Sequence, residues 1–155
     1  MGLDQYLYAK KYTSDSDFFG DERKALHGKL KEAIGDAAKH QGGNLKSISV
    51  EMKVCYWRKV NSVHKWFVEN CQDGNDNCQQ HSVSREQLEN LLEGCRNVLA
   101  NRGEADQILP NEGGFFFGST DYDEYYFSDI EDTVKQLEDV LKLDDEWEFY
   151  YRSSW

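Results

Sequence analysis

The sequence predicts an α+β fold, with an antiparallel or mixed sheet of about four strands covered by three to four helices. Apolar and polar residues alternate at residues 3–12 and 46–55, as in strands with one buried face. In four other stretches apolar residues recur every three or four positions, as on one face of a helix. The chain of 155 residues has no internal repeat, and its length is typical of one domain, residues 1–155.

The first half of the chain is predicted to contain two strands and two helices. Residues 3–12 form the first strand, and residues 21–39 form a helix that stops at residues 40–44. The strand at residues 46–55 is followed by a helix at residues 57–71. The first helix carries its apolar stripe at Leu26, Leu30, Ile34 and Ala37 or Ala38, and the second at Trp57, Val60, His64, Phe67 and Cys71.

The second half begins with a polar loop at residues 72–82. Ser84 then begins a helix with a Ser-x-x-Gln capping box, and residues 115–117 are predicted to be a short buried strand. Ser128 is predicted to cap a further helix, and the last strand starts at Trp147. The inner positions of these elements are Leu88, Leu91, Leu92, Cys95, Leu99, Ile130, Val134, Leu137, Leu141, Trp147, Phe149 and Tyr151.

The negative charge is concentrated near the end of the sequence. Residues 103–155 contain 15 acidic and 3 basic residues and 12 of the 21 aromatic residues, whereas the whole chain has a net charge of −11. An acidic chain repels nucleic acids and anionic membranes, so neither is expected as a direct partner. Acidic side chains among aromatic ones favour a basic protein as partner. The candidate binding residues are Asp121, Tyr122, Asp123, Glu124, Tyr125, Asp144, Asp145 and Glu146.

The helix predicted at residues 57–71 offers an alternative, a small-ligand pocket. Its spacing aligns Trp57, Asn61 and His64, with His64 as an acid, a base or a ligand donor. The same position within the apolar stripe also fits a core histidine. An enzyme that uses His64 with a carboxylate such as Asp123 is a third hypothesis. The complete candidate pocket is Trp57, Arg58, Asn61, His64 and Lys65.

No metal site and no cofactor are expected. His64, Cys71, Cys78 and His81 span 18 residues, but their spacing does not match the ligand pairs of structural zinc sites. The loop that starts at Asp73 lacks the glycine and the glutamate of a calcium loop. Without an export signal the cysteine thiols are expected to stay reduced.

Four blocks of this sequence resemble a group of small phage and prophage proteins. The blocks are Met1-Gly-Leu-Asp-Gln-Tyr-Leu-Tyr-Ala-Lys-Lys11, Tyr56-Trp-Arg-Lys-Val-Asn-Ser-Val-His-Lys-Trp-Phe67, Gly114-Phe-Phe-Phe-Gly-Ser-Thr-Asp-Tyr-Asp-Glu-Tyr125 and residues 147–155. The resemblance implies a small accessory protein in the cytoplasm of a bacterial host and carries over no catalytic assignment. Together with the charge, it predicts a non-enzymatic protein that binds and inhibits a basic host protein, such as a nuclease of a CRISPR-type defence system. The alternative is a protein that binds or sequesters a small nucleotide signal.

Overall fold

A computed structural model describes residues 2–41 and 45–155 and confirms the α+β class, with a four-stranded antiparallel sheet and five helices in this part of the chain. The strand order is β2-β1-β4-β3. The strands are β1 (Asp4–Ser14), β2 (Ser47–Arg58), β3 (His81–Val83) and β4 (Glu148–Ser154). The helices are α1 (Asp21–Ile34), α2 (Asn61–Cys71), α3 (Arg85–Ala100), α4 (Ala105–Ile108) and α5 (Glu124–Val140), and short 3₁₀ helices cover Asp17–Phe19, Gly35–Gln41 and Arg102–Glu104.

The chain forms two compact units. One contains the chain up to residue 9 together with residues 53–155, and the other lies within residues 10–52. All the candidate site residues belong to the first unit, which is therefore the one described in detail below. In the described part of the chain, no helix combines the length and the apolar character that crossing a membrane requires.

Helix α1, in the smaller unit, is shorter than predicted. It ends at Gly35, whose φ of 61° lies in the left-handed region that terminates helices. Ile34, predicted on the inner face, is 41% exposed, whereas His27 is buried. The continuous helix predicted here is therefore wrong at its end. The predicted stop at residues 40–44 falls mostly on residues 42–44, which lie outside the described residues.

The predicted helix at residues 57–71 is wrong at its first turn. Strand β2 continues to Arg58, and α2 begins only at Asn61. Cys55 and Trp57 are buried at the two-residue spacing of a strand, which explains why β2 extends this far. Lys59 then has a φ of 59°, a left-handed conformation that separates the strand from the helix.

The strand predicted at residues 115–117 is also wrong. This segment is a turn in which the Phe117 N–H donates to the carbonyl three residues earlier at 3.1 Å, and Phe115 is 96% exposed. The fourth strand is β3, whose first two residues lie in the segment predicted as a polar loop at residues 72–82. It pairs antiparallel with β4, so that Val83 lies opposite Phe149.

Helix α3 confirms the capping box predicted at its start. The Ser84 side chain accepts from the Gln87 N–H, and the Gln87 side chain accepts from the Ser84 N–H. Helices α3 and α5 pack against each other. Buried residues of these helices, of α2 and of the neighbouring strands form the core: Trp57, Phe67, Leu88, Leu91, Leu92, Cys95, Val98, Ile130, Leu137, Val140, Phe149 and Tyr151.

Helix α5 begins at Glu124, so the predicted cap at Ser128 is wrong. Asp123 is the N-cap, and its carboxylate accepts from the N–H groups of Tyr125 and Tyr126 at 3.0 and 3.1 Å. A side-chain acceptor for these otherwise unpaired N–H groups stabilises a helix start. The helix consequently has an additional turn, which carries Tyr126 and Phe127 into the core.

Candidate functional site

A cleft of about 210 Å³ lies where the β2–α2 turn meets the loop before α5 and the first turns of α5. Its volume is below the roughly 300–1,000 Å³ of pockets that hold drug-sized ligands. The cleft therefore suits a single side chain or a very small molecule. Its charged and hydroxyl-bearing lining residues are Arg58, Lys59, Ser62, Ser119, Asp121, Asp123, Tyr125, Tyr126 and Asp129.

Asn61, at the first position of α2, holds the loop that forms one wall of the cleft. Its amide nitrogen donates to the carbonyls of Phe117 and Ser119 at 3.2 and 2.8 Å, and its Oδ1 accepts from the Glu112 N–H at 2.9 Å. Asn61 is only 2% exposed. Its hydrogen bonds are thus directed to the protein itself, and its role in the site is to support the wall.

The backbone comes into close contact at the rim of the cleft. Gly118 has a φ of 94°, and a Cβ atom at this position would lie 3.1 Å from Cβ of Lys59. The positive φ favours glycine, and a side chain here would also require Lys59 to shift by a few tenths of an ångström. The Lys59 N–H donates to the Leu3 carbonyl at 2.8 Å, and the Leu3 N–H donates to the Phe116 carbonyl at 3.0 Å. Leu3 therefore links the β2–α2 turn to the loop at residues 115–118 through its backbone carbonyl and its N–H group.

The three carboxylates of the cleft differ in their surroundings. Asp123 caps α5, and Asp121 accepts from the Ser119 hydroxyl at 3.1 Å. Asp129 is half-buried, and no hydrogen bond or ion pair of its carboxylate is found within the described residues. Burial, followed by the charges of Asp132 and Asp123, raises its pKa above the ordinary value. Asp129 is therefore an acidic group without a compensating cation.

The two basic residues of the cleft also differ. Arg58 lies 3.5 Å from the Asp4 carboxylate, and its hydrogen bond with Tyr56, together with the charge of Asp4, raises its pKa. Lys59 has no salt bridge with any residue that the structure describes. The charge of Arg58 is thus partly offset by Asp4, whereas Lys59 lines the cleft without an ion pair to any described residue.

The predicted acidic and aromatic residues fall into two separate groups. Residues 121–125 lie at the start of α5, and residues 144–146 lie beyond its end. Since α5 has 17 residues, these groups are about 25 Å apart along the helix. They do not form a single binding patch, and only the first group borders the cleft.

Within the first group, the aromatic rings have different roles. Tyr122 is 38% exposed, and its hydroxyl accepts from the Asn111 N–H at 3.0 Å, which ties it to the loop. Tyr125 is 82% exposed and is available to a partner. Glu124 lies on the surface and pairs with Arg102 at 3.2 Å.

The second group is held by Arg85 at the start of α3. Its guanidinium donates to the carbonyls of Leu141 and Leu143 at 3.0 and 2.6 Å and pairs with the Asp145 carboxylate at 3.2 Å. These bonds occupy carbonyls that follow the end of α5, and they offset part of the local negative charge. The acidic turn at residues 144–146 therefore has a clear structural role.

His64 lies in a buried network and not in the cleft. It has no exposed surface, and its Nδ1 and Nε2 lie 2.8 Å from the Tyr151 hydroxyl and 3.0 Å from Oδ2 of Asp76. The Tyr151 hydroxyl donates to Oε1 of Gln5 at 3.0 Å, and Nε2 of Gln5 donates to the Val60 carbonyl at 3.0 Å. The network joins α2, β4 and β1. Burial and the nearby Asp76 raise the pKa of Tyr151 well above its ordinary value.

The residues of the candidate pocket predicted around His64 do not form one pocket and lie in different parts of the structure. Trp57 is buried, and its Nε1 donates to the Thr133 hydroxyl at 2.9 Å. Lys65 pairs with Glu69 at 3.8 Å, away from the cleft. Only Arg58 and Asn61 reach the cleft. The carboxylate beside His64 is that of Asp76, in place of the Asp123 suggested by the sequence.

The cysteines have the surroundings of structural residues. Cys55 and Cys95 are buried and Cys71 is partly buried. Burial raises the pKa of each of these three thiols to about 12, which leaves them unreactive at neutral pH. Among the described residues, no cluster of three or more His, Cys, Asp or Glu side chains is arranged to hold a metal ion.

Comparisons with protein-family models, with curated proteins and with solved structures find no match to this chain. Its function must therefore be inferred from the site. Several lining residues, among them Ser62, Ser119 and Asp129, were not predicted as site residues from the sequence. Asp129 lies four positions after Tyr125 and so shares its helical face, which is a signal that could have identified it. Ser62 shares a face with Arg58 and Lys65 on the helix predicted at residues 57–71, which is the comparable signal in its case.

Proposed function

We propose that this protein binds a basic protein partner through the face at the start of α5. This α5 entry face consists of Asp121, Tyr122, Asp123, Glu124 and Tyr125. The observation that carries the proposal is the adjacent cleft, in which the Asp129 carboxylate has no ion pair with any described residue. A cationic group from a partner would supply that compensation.

The physical route is electrostatic attraction combined with an aromatic contact. A surface of one charge sign raises association rates with an oppositely charged partner and rejects partners of like charge. Tyr125 is 82% exposed, and a large rigid ring beside charged groups is a frequent anchor at protein interfaces. An acidic and aromatic face of this kind is complementary to the groove of a nucleic-acid-binding protein. Such a groove is basic, because Lys and Arg make its contacts with phosphate groups.

The resemblance to phage and prophage proteins suggests the biological setting of this binding. We propose an accessory protein in the cytoplasm of a bacterial host that inhibits a nucleic-acid-binding host protein, such as a nuclease of a CRISPR-type defence system. The α5 entry face would occupy the basic groove in place of nucleic acid. The proposal involves neither a reaction nor a cofactor.

Affinity capture with charge-reversed variants tests this function. We expect the wild-type protein to retain a basic, nucleic-acid-binding host protein. Adding DNA should release that host protein by competition. The double variant Asp121→Lys, Glu124→Lys should lose that protein, because both side chains are exposed on the α5 entry face. The matched control Glu89→Lys, Glu93→Lys places the same charges on the exposed side of α3 and should retain it. Equal retention by both double variants would contradict the proposal.

A small-ligand binder is the second candidate, because Arg58 and Lys59 line the same cleft as the three carboxylates. The cleft volume of about 210 Å³ counts against a whole nucleotide. A thermal-shift screen with nucleotides distinguishes the candidates. A rise in melting temperature that Lys59→Gln abolishes would favour the small ligand, and no rise with any nucleotide would remove it.

A further inference from the structure

We propose that the cleft is a subsite for one cationic side chain of the partner, with Ser62 and Asp129 as the groups that bind it. The inference rests on the proposed function, because it names the part of the partner that the α5 entry face receives. It goes further in assigning a chemical class, a guanidinium or an ammonium group. It also adds two residues that lie outside the acidic and aromatic stretch at residues 121–125.

Ser62 provides an observation that is independent of the acidic residues. It lines the cleft from the first turn of α2, lines a second and smaller cavity as well, and is 1% exposed. Its hydroxyl has no hydrogen-bond partner in the part of the chain that the structure describes. Buried hydroxyl groups without a partner are rare in folded proteins and call for an explanation. An N–H donor that enters the cleft would supply the missing bond.

Asp129 provides the charge for this subsite. Its carboxylate is half-buried, has no bonded partner among the described residues, and is surrounded by the like charges of Asp132 and Asp123. These surroundings penalise the ionised form. A cation in the cleft would reverse that penalty, so binding and ionisation of Asp129 support each other.

The balance of charge around the cleft also favours a cation. Arg58 is offset by Asp4 at 3.5 Å, so among the described lining residues Lys59 is the cation that remains beside Asp121, Asp123 and Asp129. Tyr125 lines the same cleft and is 82% exposed, so its ring is available for a cation–π contact. The local charge is therefore negative even though the cleft contains basic residues.

A guanidinium fits these groups better than an ammonium. Its planar fork presents several N–H donors at once, and its face stacks on aromatic rings. A carboxylate, a hydroxyl and a tyrosine ring are the three partners that such a group uses. An ammonium would gain the same charge interaction but not the stacking contact.

A titration with a small probe tests the subsite without requiring the partner. The probe is Nα-acetyl-argininamide, followed by two-dimensional NMR of the ¹⁵N-labelled full chain. We expect saturable shifts at the amides of Ser62, Tyr125 and Asp129. Nα-acetyl-lysinamide should bind more weakly, and the neutral analogue Nα-acetyl-citrullinamide should not saturate. Equal binding of the arginine and citrulline probes, or no saturable shift with the arginine probe, would overturn the subsite.

Variants separate the subsite from a general acidic surface. Asp129→Asn should weaken arginine-probe binding about tenfold or more, since a hydrogen bond to a charged group is lost, and Ser62→Ala should weaken it measurably. Asp139→Asn is the matched control, because Asp139 is exposed on the same helix and already paired with Lys142 at 2.7 Å. It should bind the probe like the wild type. Unchanged binding by a folded Asp129→Asn variant would refute the assignment.

The two proposals can fail separately. If the arginine probe does not bind but capture still depends on Asp121 and Glu124, partner binding through the α5 entry face is supported and the subsite is refuted. If the probe saturates the cleft but the Asp121→Lys, Glu124→Lys variant captures the host protein as well as the wild type does, the subsite is supported and the proposed function is refuted.

Discussion

Asp129 carries its charge at a cost to the folded protein. Its folded-state pKa is raised above the value of 3.8 for an unperturbed carboxyl, so the folded state binds the proton more tightly than the unfolded chain does. At pH values above the folded-state pKa, the ionised Asp129 carboxylate therefore lowers the free energy of unfolding. This loss of stability disappears at pH values below the pKa that the carboxyl has in the unfolded chain. A carboxylate that destabilises its own fold is typical of functional sites, where activity and stability compete.

We expect Asp129→Asn to raise the melting temperature by about 2 °C at pH 7, since the buried charge is removed. The gain should vanish as the pH falls below 3.8, where both states are protonated. Thermal unfolding followed by circular dichroism over a pH series measures the effect. Asp106→Asn, at an exposed position on α4, should show no such pH-dependent gain. A lower melting temperature for Asp129→Asn at pH 7 would contradict this account.

The network around His64 is expected to contribute to stability. Tyr151→Phe removes a hydroxyl that contacts Nδ1 of His64 and donates to Gln5, and both partners are buried. Leaving buried polar groups unpaired costs about 1–3 kcal/mol, which urea unfolding can measure. Tyr150→Phe is the control, because that hydroxyl donates to Glu148 at the surface. A cost for Tyr151→Phe no larger than that of the control would show the network to be unimportant.

Some of these single-residue properties follow from the sequence and others do not. The burial of Ile130, Phe149 and Tyr151 is predictable, because periodicity reports directly which face of an element is apolar. The missing partners of Ser62 and Asp129 are not predictable. They depend on which groups the tertiary fold brings near, and residue spacing contains no information about that.

At the scale of elements, the start of α5 shows how two local signals compete. Asp123 and Ser128 are both residue types that commonly occupy the N-cap position. The sequence favours Ser128, because Glu131 follows it at the spacing of a capping box. The structure uses Asp123, whose carboxylate accepts two N–H groups. The earlier start also buries Tyr126 and Phe127. Tertiary packing of that additional turn decides between the two caps.

Substitutions at the two caps should differ accordingly. We expect Asp123→Ala to cost about 1 kcal/mol, whereas Asp123→Asn should cost little, because asparagine caps as well as aspartate. Ser128→Ala should be nearly neutral, since Ser128 is exposed within the helix. Urea unfolding of the three variants gives the comparison. A larger loss for Ser128→Ala than for Asp123→Ala would place the cap at Ser128 after all.

The strands show a similar division between local and long-range signals. The alternating patterns of β1, β2 and β4 identify these strands, and the fold class follows from them. Strand β3 has three residues, and its pairing with β4 decides its conformation, so its own sequence carries little signal. The three phenylalanines at residues 115–117 suggest a strand by propensity, but the turn that ends at Gly118 overrides it.

For the whole molecule, the uneven charge should govern the kinetics of association. The net charge is −11, and the acidic excess lies in residues 103–155. We expect the association rate with an arginine-rich peptide to fall by about tenfold between low and high ionic strength, because salt screens charge steering. Surface plasmon resonance over a salt series measures it. The Asp121→Lys, Glu124→Lys variant should give a flatter dependence, and an identical slope would exclude the α5 entry face as the source.

The assembly of the cleft is the part of this molecule that the sequence conceals most completely. Its walls come from residues 58–62 and residues 111–129, which are separated along the chain by most of α2 and by β3, α3 and α4. Each segment is conspicuous in the sequence, one for its basic residues and the other for its acids and aromatics. That the two form one cleft depends on how the strands and helices pack, and composition cannot reveal it.

The three hydrogen bonds of Asn61 have a thermodynamic consequence for any ligand of this cleft. They order the loop at residues 112–119 when the chain folds, so the entropy of ordering this wall is lost before a ligand arrives. Binding should therefore show only a small unfavourable entropy from the protein. In an Asn61→Ala variant the loop would have to order during binding, and calorimetry would record the difference as a larger entropic penalty.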